Sequence, residues 1–113
     1  MKKRDDSVFL NHIVDSISEI ESFTLSLSKE KFQSSKLHQN AVIRCLEVIG
    51  QSVKNVSTKT RELDSEIPWQ DIAGMRDVLI HQYFGVDINE VWSTVENDLI
   101  PLKKQILDLF DKL

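Results

Sequence analysis

Arg76, Asp77, His81 and Tyr83 fall within eight consecutive residues, Arg76-Asp77-Val78-Leu79-Ile80-His81-Gln82-Tyr83. A histidine moves a proton near neutral pH, and an arginine holds a phosphate with a planar fork of donors. Together they suit metal-free cleavage of a phosphodiester. No other segment offers comparable chemistry.

The spacing constrains how these groups can meet. A helix advances about 100° per residue, so Arg76 and Tyr83, seven apart, share nearly one face. Asp77 and His81, four apart, share another. Arg76 and His81 stand about 140° apart on an unbroken helix, too far to converge easily on one phosphate within a protomer. Either the helix loosens before Gly85 and swings His81 round, or residues of two protomers meet in one cleft. Asp77 can hydrogen-bond one ring nitrogen of His81, fixing its tautomer and raising its basicity. The same pattern also describes an ordinary helix surface: an Asp–His pair, a solvated arginine and a half-buried tyrosine.

Composition sets the frame for that segment. A chain of 113 residues allows one domain with one core. The hydrophobic share of 41% and charged share of 28% are those of a soluble globular protein. Three glycines and two prolines leave room for long helices and argue against a β-sandwich. A lone cysteine, Cys45, cannot form an internal disulfide, and its apolar surroundings make it a small core residue. The basic start Met1-Lys2-Lys3-Arg4 runs into Asp5 and Asp6 without an apolar signal core, and the run Ala41 to Gly50 is too short to span a bilayer. The expectation is a cytoplasmic protein with no membrane contact.

The net charge of −4 argues at first against a nucleic-acid partner. Its distribution is uneven, however. Between Lys29 and Arg61 the cations Lys29, Lys31, Lys36, Arg44, Lys54, Lys59 and Arg61 face Glu30 and Glu47 alone. Such a stretch is either a solvated helix surface or a local basic face for RNA.

Hydrophobic spacing predicts an all-α antiparallel bundle of four helices, or five if Pro101 divides the last. Phe9, Ile13, Ile17, Ile20, Thr24 and Leu27 recur at three- and four-residue steps in a helix starting near Asp5 or Asp6. Ser28 to Ser34 reads as a polar connection with at most a short turn. Ser34 or Ser35 caps a second helix running to about Val56, with Leu37, Ala41, Cys45 and Val48 on one stripe and Val42, Leu46, Ile49 and Val53 beside it. A face this wide needs two neighbours, which makes the helix central. Gly50 inside it costs about 1 kcal/mol relative to alanine, a cost explained by a close helix crossing. Ser57 to Ile67 reads as the main loop.

Pro68 suits the first position of a third helix carrying Trp69, Ile72, Ala73, Val78 and Leu79, with Asp71 in its first turn. Asp87 and Glu90 resemble a capping box, with Val86 able to staple onto Val91. The last helix then carries Ile88, Trp92, Val95, Leu99, Leu102, Ile106, Leu109 and Leu113 at alternating four- and three-residue steps. Pro101 is expected to kink or split it near Asn97 to Leu99.

Metal chemistry has little support. Di-metal bundles place a glutamate three residues before a histidine. Here Phe9, Ser35 and Val78 precede His12, His38 and His81. His12 and His38 read as helix-surface or boundary residues.

The segment Arg76 to Tyr83 resembles the arginine, four residues, histidine, one residue, tyrosine signature of HepT-like toxins in the HEPN superfamily. The resemblance continues through Ala41-Val42-Ile43-Arg44-Cys45-Leu46-Glu47-Val48-Ile49-Gly50, Ile67-Pro68-Trp69, Ala73-Gly74-Met75-Arg76, Tyr83-Phe84-Gly85-Val86-Asp87 and Val91-Trp92, and so covers most of Ala41 to Leu102. It implies a single HEPN domain over residues 1–113 that forms a homodimer with the motif residues in a shared cleft. It also implies a metal-independent endoribonuclease toxin, without cofactor, of a type VII-like toxin–antitoxin pair, acting on tRNA or mRNA. Carried over, Arg76 and His81 are the catalytic pair and Asp77 supports them. Tyr83 is the residue to which a minimal nucleotidyltransferase antitoxin of the MntA type transfers AMP. The chain departs from the pattern at Gln51 and Ser52, where many relatives have a glutamate and a small residue. The alternative is a non-catalytic HEPN module that binds RNA, a nucleotide or the transferase.

Overall fold

Asp5 starts the first helix as a side-chain cap, its Oδ1 accepting from the Ser7 amide at 3.0 Å. Helix α1 (Asp6–Thr24) buries Phe9, Leu10, Ile13, Ile17 and Ile20, the face that the periodicity marks, with Leu10 added. The computed structural model describes residues 5–81 and 85–113, with the backbone alone for 80 and 81.

Helix α2 (Lys29–Ser34) occupies the stretch expected to be a connection. A local cap and a distant contact make it helical. Ser28 accepts from the Lys31 amide at 3.2 Å, and Phe32 is fully buried with its ring centroid 5.0 Å from that of Trp92. Buried Gln39 donates to the carbonyls of Phe32 and Gln33 at 2.9 and 3.0 Å, closing the end of α2 against the next helix.

Helix α3 (Lys36–Asn55) begins at Ser35, whose Oγ accepts from the His38 amide at 3.3 Å and lies 2.7 Å from His38 Nδ1. It packs against both α1 and α5 and is the central helix, as its broad apolar face predicts. That face is narrower than expected. Val42, Cys45, Leu46, Ile49 and Val53 are buried, but Leu37 is 77% and Val48 39% exposed. Val48 shares its stripe with Arg44 and Gln51, which open onto a cleft rather than onto a neighbour.

The expected main loop contains a short helix, α4 (Thr58–Glu62), capped by Ser57. Asp6 fixes it: its Oδ2 accepts from Ser57 Oγ at 2.5 Å and from Thr60 Oγ1 at 2.6 Å, pinning the start of α1 to the start of α4. Just beyond, Arg61 turns back and donates to the carbonyls of Val53 and Val56 at 2.7 and 3.2 Å, satisfying acceptors that the end of α3 leaves open.

Helix α5 (Trp69–His81) follows Pro68, whose carbonyl accepts from the Ile72 amide at 3.0 Å, so the proline stands one position before the helix. Trp69 donates from Nε1 to the Asp64 carbonyl at 3.0 Å, and the Arg61 guanidinium lies 6.0 Å from its ring. Trp69, Ile72 and Leu79 are buried, whereas Val78 is exposed.

Pro101 divides the final helix as expected. Helix α6 (Ile88–Asn97) ends at Asp98, and α7 (Leu99–Phe110) carries the proline in its first turn, where a missing amide hydrogen costs nothing. Asp87 caps α6 through the Asn89 amide at 2.9 Å. Trp92, Leu99, Leu102, Ile106 and Leu109 are buried along the predicted seam, while Leu113 lies beyond α7 and is exposed. Lys103 of α7 pairs with Glu21 of α1 at 2.8 Å. Trp92 Nε1 is buried without a hydrogen-bond partner among the described residues.

The described residues thus form seven helices and no strand, an all-α bundle with α3 at its centre. Among the described residues, no helix is long and apolar enough to cross a membrane. The additional helices α2 and α4 are the main departure from the expected count.

Candidate functional site

The placement of Arg76 is set by the residue opposite it. Gly50 of α3 is buried where α5 crosses, and a Cβ there would collide with Arg76 Cβ and lie 3.2 Å from the Ile72 carbonyl oxygen. Only a residue without a side chain lets the two backbones approach this closely. The crossing explains Gly50 as the spacing suggested, and it locks the stem of Arg76 against α3.

From that fixed stem the Arg76 side chain, 28% exposed, reaches a cleft of about 480 Å³. The cleft is also lined by His12 of α1 and by Arg44, Gln51, Ser52 and Asn55 of α3. On α3, Arg44, Gln51 and Asn55 follow at steps of seven and four, one stripe of the helix. Buried Phe9 lies under His12, their rings edge to face with centroids 6.3 Å apart. Glu47 is the only acidic residue among the described residues that line the cleft.

Asp77 stands beside Arg76 at the edge of this site. Its Oδ1 accepts from Lys54 Nζ at 2.6 Å and lies 3.5 Å from Arg76 Nη1. Lys54 thereby joins α3 to α5 next to the arginine and shares the carboxylate with it. This arrangement is half-exposed, so its contribution to stability is below about 1 kcal/mol.

Helix α5 remains helical through His81, so the backbone positions of residues 76 and 81 keep their separation of about 140° around the axis. Residues 82–84, where the helix was expected to loosen before Gly85, lie outside the described residues. The His81 side chain and Tyr83 lie outside the described residues. Among the described residues, no group of three or more histidines, cysteines, aspartates or glutamates is placed to hold a metal ion. Cys45 is buried, and its thiol donates to Glu19 Oε2 at 3.4 Å. Burial, with Glu19 adding to it, pushes the thiol up to about 11, which makes Cys45 a poor nucleophile at neutral pH.

Sequence reasoning singled out Arg76 and Asp77 but placed no function on His12, Arg44 or Asn55. Arg44 was visible only as one member of a basic stretch, and His12 as a surface residue. The signal that joins them is the α3 stripe through residues 44, 51 and 55, whose relation to Arg76 depends on the Gly50 crossing.

Comparison with known proteins places this site in context. Residues 13–109 match the family described as Ribonuclease HepT-like. The chain is 45% identical to "Putative RNase MJ0125" of Methanocaldococcus jannaschii, covering 99% of this chain and 100% of that protein. It is 44% identical to "Probable ribonuclease HepT" of Thermococcus cleftensis, covering 98% and 97%. A third relative, "Gamma-glutamylcyclotransferase and putative RNase MJ0434" of M. jannaschii, is 42% identical over 98% of this chain, which spans half the length of that protein. No solved structure matches the chain. The match over most of the sequence, together with an all-α bundle, shows that this chain belongs to the Ribonuclease HepT-like family.

Proposed function

We propose that the chain is a metal-independent endoribonuclease of a toxin–antitoxin pair, acting in the cytoplasm as one HEPN unit. The observation that carries this reading is the locked Arg76, held over Gly50 and opening onto a polar cleft one and a half helical turns before His81. The ribonuclease family supplies the reaction class.

In this reading the ribose 2′-hydroxyl is the nucleophile, so RNA is cut and DNA is not. The 2′-oxygen bonds to phosphorus, the P–O5′ bond breaks, and a 2′,3′-cyclic phosphate and a 5′-hydroxyl result. His81 takes the 2′-hydroxyl proton or gives one to the leaving 5′-oxygen, and Arg76 stabilises the charge that develops on the phosphoryl oxygens. Asp77 positions these groups from the edge of the site. Because α5 stays helical through His81, Arg76 and His81 converge best when they come from two protomers of a homodimer. Tyr83 is the modification site: its phenolic oxygen attacks the α-phosphorus of ATP on a nucleotidyltransferase partner, and pyrophosphate leaves. The attached AMP then occupies the place of substrate phosphate and repels RNA.

The test is cleavage of tRNA and mRNA in excess chelator. Wild type is expected to cleave, and Arg76→Lys and His81→Ala each to lose about 100-fold or more, since lysine lacks the planar fork. Mixing Arg76→Ala with His81→Ala subunits is expected to restore one working site per mixed dimer. Tyr83→Phe is expected to cleave and to escape AMP transfer in mass spectra. Cleavage by His81→Ala at the wild-type rate would overturn the catalytic reading.

A further inference from the structure

The cleft beside Arg76 extends well beyond what one scissile linkage needs. Arg44 lies six residues before Gly50 on α3, about 9 Å along the helix axis from the point where Arg76 crosses. Among the described residues Arg44 has no ion pair, whereas Lys54 is held by Asp77 and Lys103 by Glu21. Its five donors are thus uncommitted, and Glu47 is the only carboxylate among the described residues on the same wall. His12 is exposed on the opposite wall and braced edge-on by Phe9, so a flat ring borders the cleft. A free guanidinium for phosphate and a braced ring for a base are the two elements that single-stranded nucleic acid requires.

We propose that this half of the cleft is a subsite for the RNA strand flanking the cleaved linkage. Arg44 holds a phosphate next to the one at Arg76, His12 stacks on an unpaired base, and Gln51 lines the same cleft. The subsite rests on the reading of Arg76 as the site of phosphodiester cleavage. It accounts for the exposed polar stripe of α3 and for an RNA ligand on a chain of net negative charge.

The experiment measures binding of a mixed-sequence single-stranded RNA, fully 2′-O-methylated to prevent cleavage, by fluorescence anisotropy from about 50 to 200 mM salt. Arg44→Gln is expected to weaken binding about tenfold and to lower the salt slope by about one. His12→Ala is expected to weaken binding about tenfold through loss of stacking. Gln51→Glu, which adds a carboxylate to the cleft, is expected to weaken it as well. Lys104→Gln, on an exposed part of α7, serves as the control and should match wild type. All four positions are exposed, and circular dichroism confirms that each variant is folded.

Unchanged affinity and salt slope in Arg44→Gln and His12→Ala would overturn the subsite, even with cleavage still lost in Arg76→Lys. Weakened binding in those two variants, with Arg76→Lys and His81→Ala cleaving normally, would keep an RNA surface and remove the catalytic reading. No binding by wild type would overturn the subsite outright.

Discussion

Gly50 and Arg76 are packed so closely that the α3 backbone serves as the floor for the arginine stem. In most helix interiors, glycine to alanine stabilises by up to about 1 kcal/mol. Here the added methyl meets Arg76 Cβ and the Ile72 carbonyl, neither of which is the far end of a flexible chain. Gly50→Ala is therefore expected to destabilise by about 1–3 kcal/mol and to displace Arg76, with loss of RNA cleavage. Thermal melts and cleavage assays check this together. A rise in melting temperature would show that the helices do not cross this tightly.

Lys54→Met separates the electrostatics of the site from its stability. The Lys54–Asp77 pair is half-exposed, so its loss should cost less than about 1 kcal/mol and matter less in high salt. Asp77 would then pair more closely with Arg76, 3.5 Å away, offsetting the field of the guanidinium that faces the cleft. RNA affinity is expected to fall by up to about tenfold, or 1.4 kcal/mol. Titration at low and high salt distinguishes the two contributions.

Cys45 gives a pH prediction whose sign follows from its environment. Its thiol rises from about 9 to about 11 in the folded chain because burial disfavours the thiolate, with the Glu19 contact adding to the shift. Between those values the unfolded chain has lost this proton and the folded chain still holds it, so stability falls as pH rises. The slope from this group is at most about 1.4 kcal/mol per pH unit, and the stabilisation is complete below pH 9. Urea unfolding of wild type and Cys45→Ala from pH 8 to 11 isolates it. Equal slopes would show that Cys45 does not contribute.

Most of the bundle could be read from the sequence because its determinants are local or periodic. Asp5, Ser35 and Asp87 act as caps, Pro101 divides the last helix, and the seam from Trp92 to Leu109 faces the core. Helices α2 and α4 escaped detection because each is too short to display a period. They depend instead on distant partners, Phe32 on Trp92 and Thr60 on Asp6. Leu37, Val48 and Val78 carry apolar side chains at helical spacing yet remain exposed, since periodicity defines a face without saying how far a neighbour covers it. The candidate site divided in the same manner. Arg76 and Asp77 stood out as members of a contiguous motif, whereas His12 and Arg44 join them only through the packing of α1 and α5 on α3.

The two indoles occupy contrasting surroundings. Trp69 is hydrogen-bonded beneath a cation where α3 ends and α5 begins, while Trp92 lies in an apolar setting against Phe32. Each can therefore act as an intrinsic optical reporter of its own region. A bluer emission from Trp92 and a redder, more readily quenched emission from Trp69 would let one chain, observed without any label, reveal whether its two ends loosen together or in sequence.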